Sequence, residues 1–443
     1  MGSTPPSTHA DQRRLDRELV ALAVPAFATL LAEPLLVLAD SAIIGHVSTD
    51  ALAGLGIASS VVGVVVGLCV FLAYGTTASV ARRLGAGDRA GALAGGLDGI
   101  TLGALIGVVL AIVLQVAATG VVGWYGVEPV VADQAASYLS VVSLGFPGAL
   151  VILAATGVLR GLQDTRTPLL VVVVMNLANI GLNLLFVHGL GWGITGSGTG
   201  TALAQTGAAV WLALTVLRGA RREQVRWRWH PSGILTAARS SGWLVLRTAG
   251  LQAALLLTTA VAARMGAVSM AAHQVLYSLW MLLTFAMDAV AIAAQALVGR
   301  YLGAGEASTV RSLLARMLGW GVLIGVTGGL LLWAGQGLYL WLFTPDAAVV
   351  GLVSSVLPLV AGLTVLGGVV FVLDGVLIGA GDTRYLAWAS LVNLLVYLPL
   401  AIMVAVTGGG LVWLWLAYAG FTLSRFVTLG LRARGTGWMR LGV

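Results

Sequence analysis

The sequence predicts an all-α membrane protein of twelve transmembrane helices, arranged as two parallel six-helix repeats. Composition, recurring apolar runs and an internal repeat predict this class. Of the 443 residues, 59% are hydrophobic and 9% are charged. A soluble globular domain has roughly 25% charged residues. Apolar runs of about 20 residues, which cross a ~30 Å hydrocarbon core as helices, recur along nearly the whole chain. They are too long and too uniformly apolar for barrel strands.

The apolar runs place twelve helices in order along the chain. The first 18 residues are polar, contain proline and charge, and lack the apolar core of a signal peptide. They therefore predict a short, disordered cytoplasmic tail. After this tail we expect helices at 19–44, 52–80, 92–118, 134–160, 168–188, 196–217, 240–263, 268–299, 309–333, 349–379, 385–406 and 411–431.

The arginines indicate how these helices are oriented. Alternate loops carry them, as in "ARRLGAGDRAG", "RGARREQVRWRWHPS" and "GAGDTRY", whereas the opposite loops contain none and only Arg264 lies near that face. This asymmetry follows the positive-inside rule and predicts that both termini are cytoplasmic. The net charge of +7 is therefore explained by topology, and we expect no nucleic-acid partner.

The two halves of the sequence repeat each other. "RRLGAGD" at 82–88 is similar to "GRYLGAGE" near 300–306, and "GVLRGLQDTR" at 157–166 is similar to "GVLIGAGDTR" at 375–384, both with an offset of 218 residues. Six helices per half give the halves the same orientation, and repeats of this kind build transporters that expose a site between the halves alternately to each side. The predicted organisation is a tail (1–18), an N-terminal six-helix lobe (19–217), a cytoplasmic linker (218–239), a C-terminal six-helix lobe (240–432) and a cytoplasmic tail (433–443).

Five motifs resemble the multidrug and toxic compound extrusion (MATE) transporters, in the order that this family has them. They are "EPLLVLADSAIIGH", "RRLGAGD", "GVLRGLQDTRTPL", "VSMAAHQV" and "DAVAIAAQALVGRYLGAGE", and several point to the DinF-like (DNA-damage-inducible protein F) branch. The resemblance implies that the two lobes form a V-shaped central cavity. It also implies export of cationic, amphipathic drugs and dyes, driven by inward flow of protons or, in some members, sodium.

Two carboxyls lie in the apolar first helix. A charged carboxylate near the membrane centre costs about 2.5–3.5 kcal/mol, so the protonated form of Asp40 is favoured there and the group can carry a proton. Glu33 precedes Asp40 by nearly two helical turns and lies about 10 Å away on the same face. We expect both to serve cation coupling, with a structural hydrogen-bonded pair as the alternative.

A polar stripe on the fifth predicted helix complements this pair. Asn176, Asn179 and Asn183 are spaced by three and four residues and share one face. By resemblance, Asn179 matches a family asparagine beside the first-helix aspartate, whereas Asn183 replaces the usual acid. This loss weakens a sodium site more than a proton site, because a hard cation prefers several charged oxygen ligands. Thr199 and Thr201 resemble the family's hydroxyl contribution, with close helix packing as the alternative.

Two prolines and a second set of charges complete the candidate residues. Pro25 and Pro34 each remove a backbone hydrogen bond from the first helix and predict a hinge there. In the second half, Asp288 and Arg247 are the candidates for handling substrate or ion, with a structural ion pair between them as the alternative. The repeat places Thr258 where the first half has Asp40, since 258 − 40 = 218.

The sequence argues against an enzyme. The five histidines are scattered without metal-ligand spacing, and no Cys or Ser has a plausible catalytic base. No phosphate-binding "GxxxxGK" loop occurs, so an ion gradient of H+ or Na+, rather than ATP or a cofactor, would drive transport. We expect a monomeric, multi-pass protein of a prokaryotic plasma membrane whose partners are amphipathic small molecules and the lipid bilayer. A lipid-linked oligosaccharide flippase and an ion channel are the alternatives.

Overall fold

The computed structural model describes residues 9–227 and 230–442. Over these ranges the chain is helical, with no strand, and a π-helical turn at Leu184–Gly189 follows α7. The α-helices are α1 His9–Gly45, α2 Thr49–Cys69, α3 Phe71–Gly85, α4 Arg89–Gly123, α5 Pro129–Ser143, α6 Phe146–Gly161, α7 Arg166–Asn183, α8 Gly193–Arg222, α9 Pro231–Arg264, α10 Ala267–Gly303, α11 Ala307–Phe343, α12 Ala347–Gly379, α13 Thr383–Thr407 and α14 Leu411–Arg434.

The membrane class and the helix count are confirmed. The described chain contains 11 spans that are long and apolar enough to cross a membrane, or 12 when the bent pair α5 and α6 counts as one. This pair bends by 53° where the sequence predicted a single helix at 134–160. The bend coincides with Gly145 and Pro147, and proline lacks the N–H that would continue the helix. The chain is therefore a polytopic, all-helical membrane protein.

The helices form two compact units, and the boundary between these units differs from the predicted one. The N-terminal unit is Ala28–Ser241, and the C-terminal unit joins the chain up to Phe27 to Gly242–Val443. The first boundary falls inside α1, two residues after Pro25, so the start of α1 does not belong to the N-terminal lobe as 19–217 implied. Helices α8 and α9 also occupy most of the predicted linker 218–239 and leave residues 223–230 between them.

The predicted N-terminal tail is helical from His9 onward, which corrects the expectation of disorder for residues 9–18; residues 1–8 lie outside the described range. Two acidic side chains explain the order, because both have partners in the C-terminal unit. Asp16 forms an ion pair with Arg316 and accepts a 3.0 Å hydrogen bond from Trp320. Glu18 accepts a 2.9 Å hydrogen bond from the hydroxyl of Tyr301.

The C-terminal tail also packs against its own unit. Helix α14 ends at Arg434, and the following segment folds back so that Trp438 is buried and Gly442 N–H donates to Leu302 C=O at 3.1 Å.

Glycines let two helices of the C-terminal unit, α11 and α12, approach closely. A Cβ at Gly321 would lie 2.6 Å from the carbonyl oxygen of Gly368, so α11 and α12 touch through their backbones there.

The internal repeat is visible in the turns. Gly87 and Gly305, which are 218 residues apart, both have left-handed backbones, with φ of 80° and 78°. Each follows a helix that ends in the "LGAG" motif, where glycine adopts this conformation without steric cost. The glycine-rich motifs therefore form equivalent tight turns in the two halves.

Candidate functional site

Asp40 is the centre of a buried hydrogen-bonded network inside the N-terminal unit. It lies near the end of α1 and is 6% exposed. Its Oδ1 accepts a 2.6 Å hydrogen bond from Nδ2 of Asn183, which is fully buried on α7. The same Nδ2 donates to Oδ1 of Asn179 at 3.0 Å, and Asn179 Nδ2 donates to Oγ1 of Thr201 on α8 at 2.9 Å. A chain of three hydrogen bonds therefore links the carboxyl on α1 to α7 and, through Asn179, to α8.

The network has a consistent donor order that ends at the carboxylate. Thr201 donates its own hydrogen to the carbonyl of Ser197 at 3.0 Å, so its oxygen accepts from Asn179. Both N–H groups of the Asn183 amide are in use, one on Asn179 and one on Asp40. A hydrogen bond to a charged acceptor is stronger than a neutral one, so the bond from Asn183 favours the charged form of Asp40, whereas burial in the membrane-spanning helix disfavours it.

The oxygen of the Asn183 amide has no hydrogen-bond partner among the described residues. It lies against Gly200 of α8, where a Cβ would collide with it. Gly200 therefore provides the space that the Asn183 side chain occupies. Sequence reasoning missed this residue, because a glycine in a glycine-rich transmembrane helix gives no local signal of its own.

A tyrosine also belongs to this region and was missed. Tyr138 of α5 is buried and interacts with the Thr201 hydroxyl. It also lies close enough to Asp40 for an electrostatic interaction with the carboxylate. Nothing in the sequence around it, an ordinary apolar helix, distinguishes it from a packing residue. It brings a fourth helix to the network.

The other predicted residues of the first half are not part of this network. Asn176 donates to the carbonyl oxygen of Ala32 at 2.7 Å and so ties α7 to α1 two turns before Asp40. Glu33 is exposed, although it shares a helical face with Asp40. Thr199 donates to the carbonyl of Thr195 at 2.7 Å, a local bond within α8. Both Pro25 and Pro34 lie inside the continuous helix α1.

In the C-terminal unit, Arg247 pairs with an aspartate that was not assigned a role. Its Nε donates to Oδ1 of Asp374 at 3.2 Å, and its Nη2 contacts Oδ2 of the same residue. Arg425 adds a second guanidinium 3.8 Å from that oxygen, and all three side chains are buried. Asp288, the partner that the sequence suggested for Arg247, is half-buried on α10. Arg247 therefore belongs to a buried triad centred on Asp374.

The residue of the C-terminal unit that corresponds to Asp40 in the internal repeat is Thr258, which makes a polar contact but carries no charge. Thr258 is bonded to the hydroxyl of Tyr397 at 2.6 Å. Tyr397 is the repeat equivalent of Asn179, since 397 − 179 = 218. The two halves therefore join equivalent helices, but the partner of Asp40 is Asn183, one turn beyond the position that Tyr397 repeats, and the second half has a threonine hydroxyl in place of the carboxyl. Across the described residues, no cluster of three His, Cys, Asp or Glu side chains could hold a metal ion.

Comparison with known proteins adds the family. The family model MatE matches residues 25–185 and 245–403, one segment in each half. DNA damage-inducible protein F of Escherichia coli is 27% identical over 301 residues, which are 66% of this chain and 65% of that protein. From Arabidopsis thaliana, Protein DETOXIFICATION 44, chloroplastic, is 28% identical over 94% of this chain and 81% of its own length. Protein DETOXIFICATION 42 of the same plant is 32% identical over 69% of this chain, and the match spans 57% of its length.

Solved structures agree with the fold. The Vibrio cholerae MATE transporter VcmN, in its bent form, superposes with a TM-score of 0.87 over 98% of this chain and 98% of that one, at 22% sequence identity. The matching segments cover both repeats, and the fold is shared over nearly the full length. The chain belongs to the MatE family.

Proposed function

We propose that this protein is a secondary active exporter that couples proton entry to the efflux of amphipathic, cationic small molecules by alternating access. One observation carries the proposal: Asp40 is a buried carboxyl at the end of a chain of hydrogen bonds that links three helices. A buried titratable group in a membrane-spanning helix is a candidate proton carrier by its placement alone. Relatives named as multidrug resistance proteins support the export of small molecules.

Protonation of Asp40 would change the hydrogen bonds of the network as well as remove the negative charge of the carboxylate. A protonated Asp40 must donate its O–H, and the partnerless amide oxygen of Asn183 is the acceptor within reach if that amide turns over. A turned amide presents an oxygen, in place of its N–H, to Oδ1 of Asn179. Asn179 must then turn as well, which removes its donation to Thr201. The proton therefore changes how α1, α7 and α8 are joined.

The site favours a proton over sodium. Among the residues of the network, Asp40 supplies the one carboxylate, and the remaining oxygens belong to amides and hydroxyls. Small hard cations are held best by several oxygens, usually including more than one carboxylate. Asn183, at the place where the family usually has an acid, contributes a donor to Asp40 instead of a second negative charge.

The proposal is tested in proteoliposomes that carry an imposed pH gradient or sodium gradient. A cationic dye should leave against its gradient in response to ΔpH and not to ΔNa+, and Asp40→Asn should lower the proton-driven rate by at least tenfold. Asp50→Asn is the matched control, because it makes the same chemical change at an exposed position in the first turn of α2. Efflux that responds to neither gradient, or an Asp40→Asn rate equal to that of Asp50→Asn, would refute the coupling role.

One observation favours a second candidate, a flippase for lipid-linked oligosaccharides. The buried triad of the C-terminal unit consists of two arginines, Arg247 and Arg425, and one aspartate, Asp374. Its net positive charge would suit an anionic pyrophosphate headgroup. Translocation of a fluorescent lipid pyrophosphate in the same vesicles, without an imposed gradient, would favour the flippase.

For the exporter we further propose a monomer in a prokaryotic plasma membrane with both termini cytoplasmic. Fractionation tests the location, and labelling of cysteines introduced at the termini tests the topology.

A further inference from the structure

Four exposed arginines lie within nine residues, at the end of α8 and just beyond it. They are Arg218, Arg221, Arg222 and Arg226. None of the four forms an ion pair among the described residues, and the one acid between them, Glu223, is paired with Arg89 of α4 at 3.0 Å. Arginines at other helix ends do have carboxylate partners, as Arg432 has in Asp382. The positive charge of this group is therefore not compensated within the described part of the protein.

The arginines of α8 continue the exposed apolar face of this helix. Leu203, Val210 and Leu214 are exposed, and Arg218 and Arg221 follow Leu214 by four and seven residues, which keeps all five on one face. The helix has 30 residues and spans about 45 Å, so it extends beyond a ~30 Å hydrocarbon core. The change from leucine to arginine along one face marks the level where the hydrocarbon ends.

Trp227 gives a second indication of this level. The chain reverses after α8, where Gln224 has a left-handed φ of 58° and Val225 N–H donates to Ala220 C=O at 2.9 Å. The indole N–H of Trp227 then donates to Oγ1 of Thr101 on α4 at 3.2 Å. The tryptophan is nevertheless 58% exposed. Its ring is therefore held at a fixed position on α4 with much of its surface open to the surroundings.

That position is where the exposed apolar face of α4 begins. Leu105, Val108 and Ile112 are exposed and follow Thr101 at spacings of four, three and four residues, so the four side chains share a face. Tryptophan is enriched at membrane–water interfaces, because its ring is apolar and its N–H needs a polar partner. Two helices and one aromatic side chain therefore place the arginines at the level of the lipid headgroups.

We propose that this surface, formed by Arg218, Arg221, Arg222, Arg226 and Trp227, binds the headgroup of an anionic phospholipid. Guanidinium groups present several N–H donors in one plane, which suits phosphate oxygens, and Trp227 packs beside the upper part of the acyl chains. A zwitterionic lipid has the same phosphate but also a cation, which the arginines repel. Clusters of about four to eight basic residues next to a membrane-spanning helix are typical of anionic-lipid binding.

The proposal is independent of the proposed proton coupling. The surface shares no residue with the Asp40 network, and lipid binding requires no ion gradient. The two functions are therefore measured separately: transport through dye efflux, and lipid binding at equilibrium without dye.

The test measures which lipid lies next to this surface in vesicles of phosphatidylcholine. The label is a bimane on Ser232→Cys, an exposed position in the first turn of α9, in a Cys69→Ala background because Cys69 is the single cysteine. Its neighbour Gly233 lies against Asp98 of α4, one turn before the residue that Trp227 contacts. A nitroxide on the upper acyl chain of an added lipid quenches the label on contact. The added lipid is phosphatidylglycerol or phosphatidylcholine at the same mole fraction.

Phosphatidylglycerol should quench the label with an apparent association constant about fivefold or more above that of phosphatidylcholine, since one arginine near an anionic surface contributes about this factor. Removing three of the arginine charges should abolish the preference. That variant is Arg218→Gln/Arg221→Gln/Arg222→Gln. The control removes the same charge at other exposed arginines and should keep the preference; it is Arg13→Gln/Arg17→Gln/Arg311→Gln.

If the triple variant does not insert into vesicles, the wild type in rising salt gives a second measurement. The preference for phosphatidylglycerol should then fall, because salt screens interactions between exposed charges. Equal quenching by the two lipids in the wild type, a preference that salt does not change, or equal losses in the two triple variants would overturn the proposal. Relief of the quenching by inorganic phosphate, with ionic strength matched by chloride, would also overturn it, by showing that the arginines bind a free anion.

Discussion

Replacing Gly200 with alanine tests whether the Asp40 network depends on the space that this glycine leaves. The added methyl group would collide with Oδ1 of Asn183, which must move. Moving the Asn183 amide weakens its 2.6 Å bond to Asp40 and its 3.0 Å bond to Asn179. We therefore expect the folded state to lose stability, although alanine is the better helix former.

The magnitude follows from these three contributions. The hydrogen bond to charged Asp40 contributes about 1.5–3 kcal/mol, and the bond between the two amides about 0.6–2 kcal/mol in a membrane protein. Alanine in place of glycine returns about 1 kcal/mol of helix propensity. The net loss in the free energy of unfolding is then about 1–4 kcal/mol.

Gly207→Ala is the matched control. It lies on the same helix two turns later, is exposed, and a Cβ there would meet nothing within 4 Å. It should be neutral or stabilising by up to about 1 kcal/mol. The assay is reversible unfolding in mixed micelles, monitored by circular dichroism. In an Asn183→Ala background the penalty of Gly200→Ala should vanish, and equal effects of the two glycine variants, or a penalty that persists in that background, would refute the role assigned to Gly200.

Three further variants probe the remaining sites. Thr201→Val should lower proton-driven efflux because Asn179 loses its acceptor, whereas Thr199→Val should leave the rate unchanged; equal effects would show that the network is not what matters. Asp374→Ala should cost about 3–5 kcal/mol in the free energy of unfolding, because it removes the carboxylate that Arg247 and Arg425 share, and the triple variant Arg247→Met/Asp374→Leu/Arg425→Met should recover much of it, as a melting series in detergent would show. Replacing both Pro25 and Pro34 with alanine should stiffen α1 and impair transport while dye binding, measured by fluorescence anisotropy, is retained; unchanged transport would argue against the hinge.

The apolar runs were sufficient to predict the fold class and the number of spans, because the cost of exposing backbone to lipid leaves few alternatives. The internal repeat was equally readable, since its motifs keep one constant offset. The bend between α5 and α6 was not predicted, because Pro147 lies in an apolar run that continues on both sides. The helical start at His9 was missed for a different reason: the partners of Asp16 and Glu18 lie some 300 residues away in sequence.

Helix periodicity and the motif resemblance together predicted part of the candidate site. Both placed Asn179 and Asn183 on the face that meets Asp40, and the structure brings these three residues together. Periodicity also placed Glu33 on the same helical face as Asp40, yet Glu33 is exposed in the structure. Two residues on one face of a helix can differ in burial, because neighbouring helices pack against one turn and not against the next. The pairing of Arg247 with Asp374 depends on how separate helices are aligned, which no spacing within one helix encodes.

The boundary inside α1 has a consequence for dividing this protein. A gene cut between residues 241 and 242 would separate the two sequence repeats, yet it would not separate the two structural units, because the C-terminal unit includes the chain up to Phe27. The downstream fragment would lack Asp16 and Glu18 and would leave Arg316 and Tyr301 without their partners. The downstream fragment is therefore complete only when the upstream fragment, which carries the first helix, reassembles with it, and one cut cannot turn the present chain into two independent single-repeat proteins.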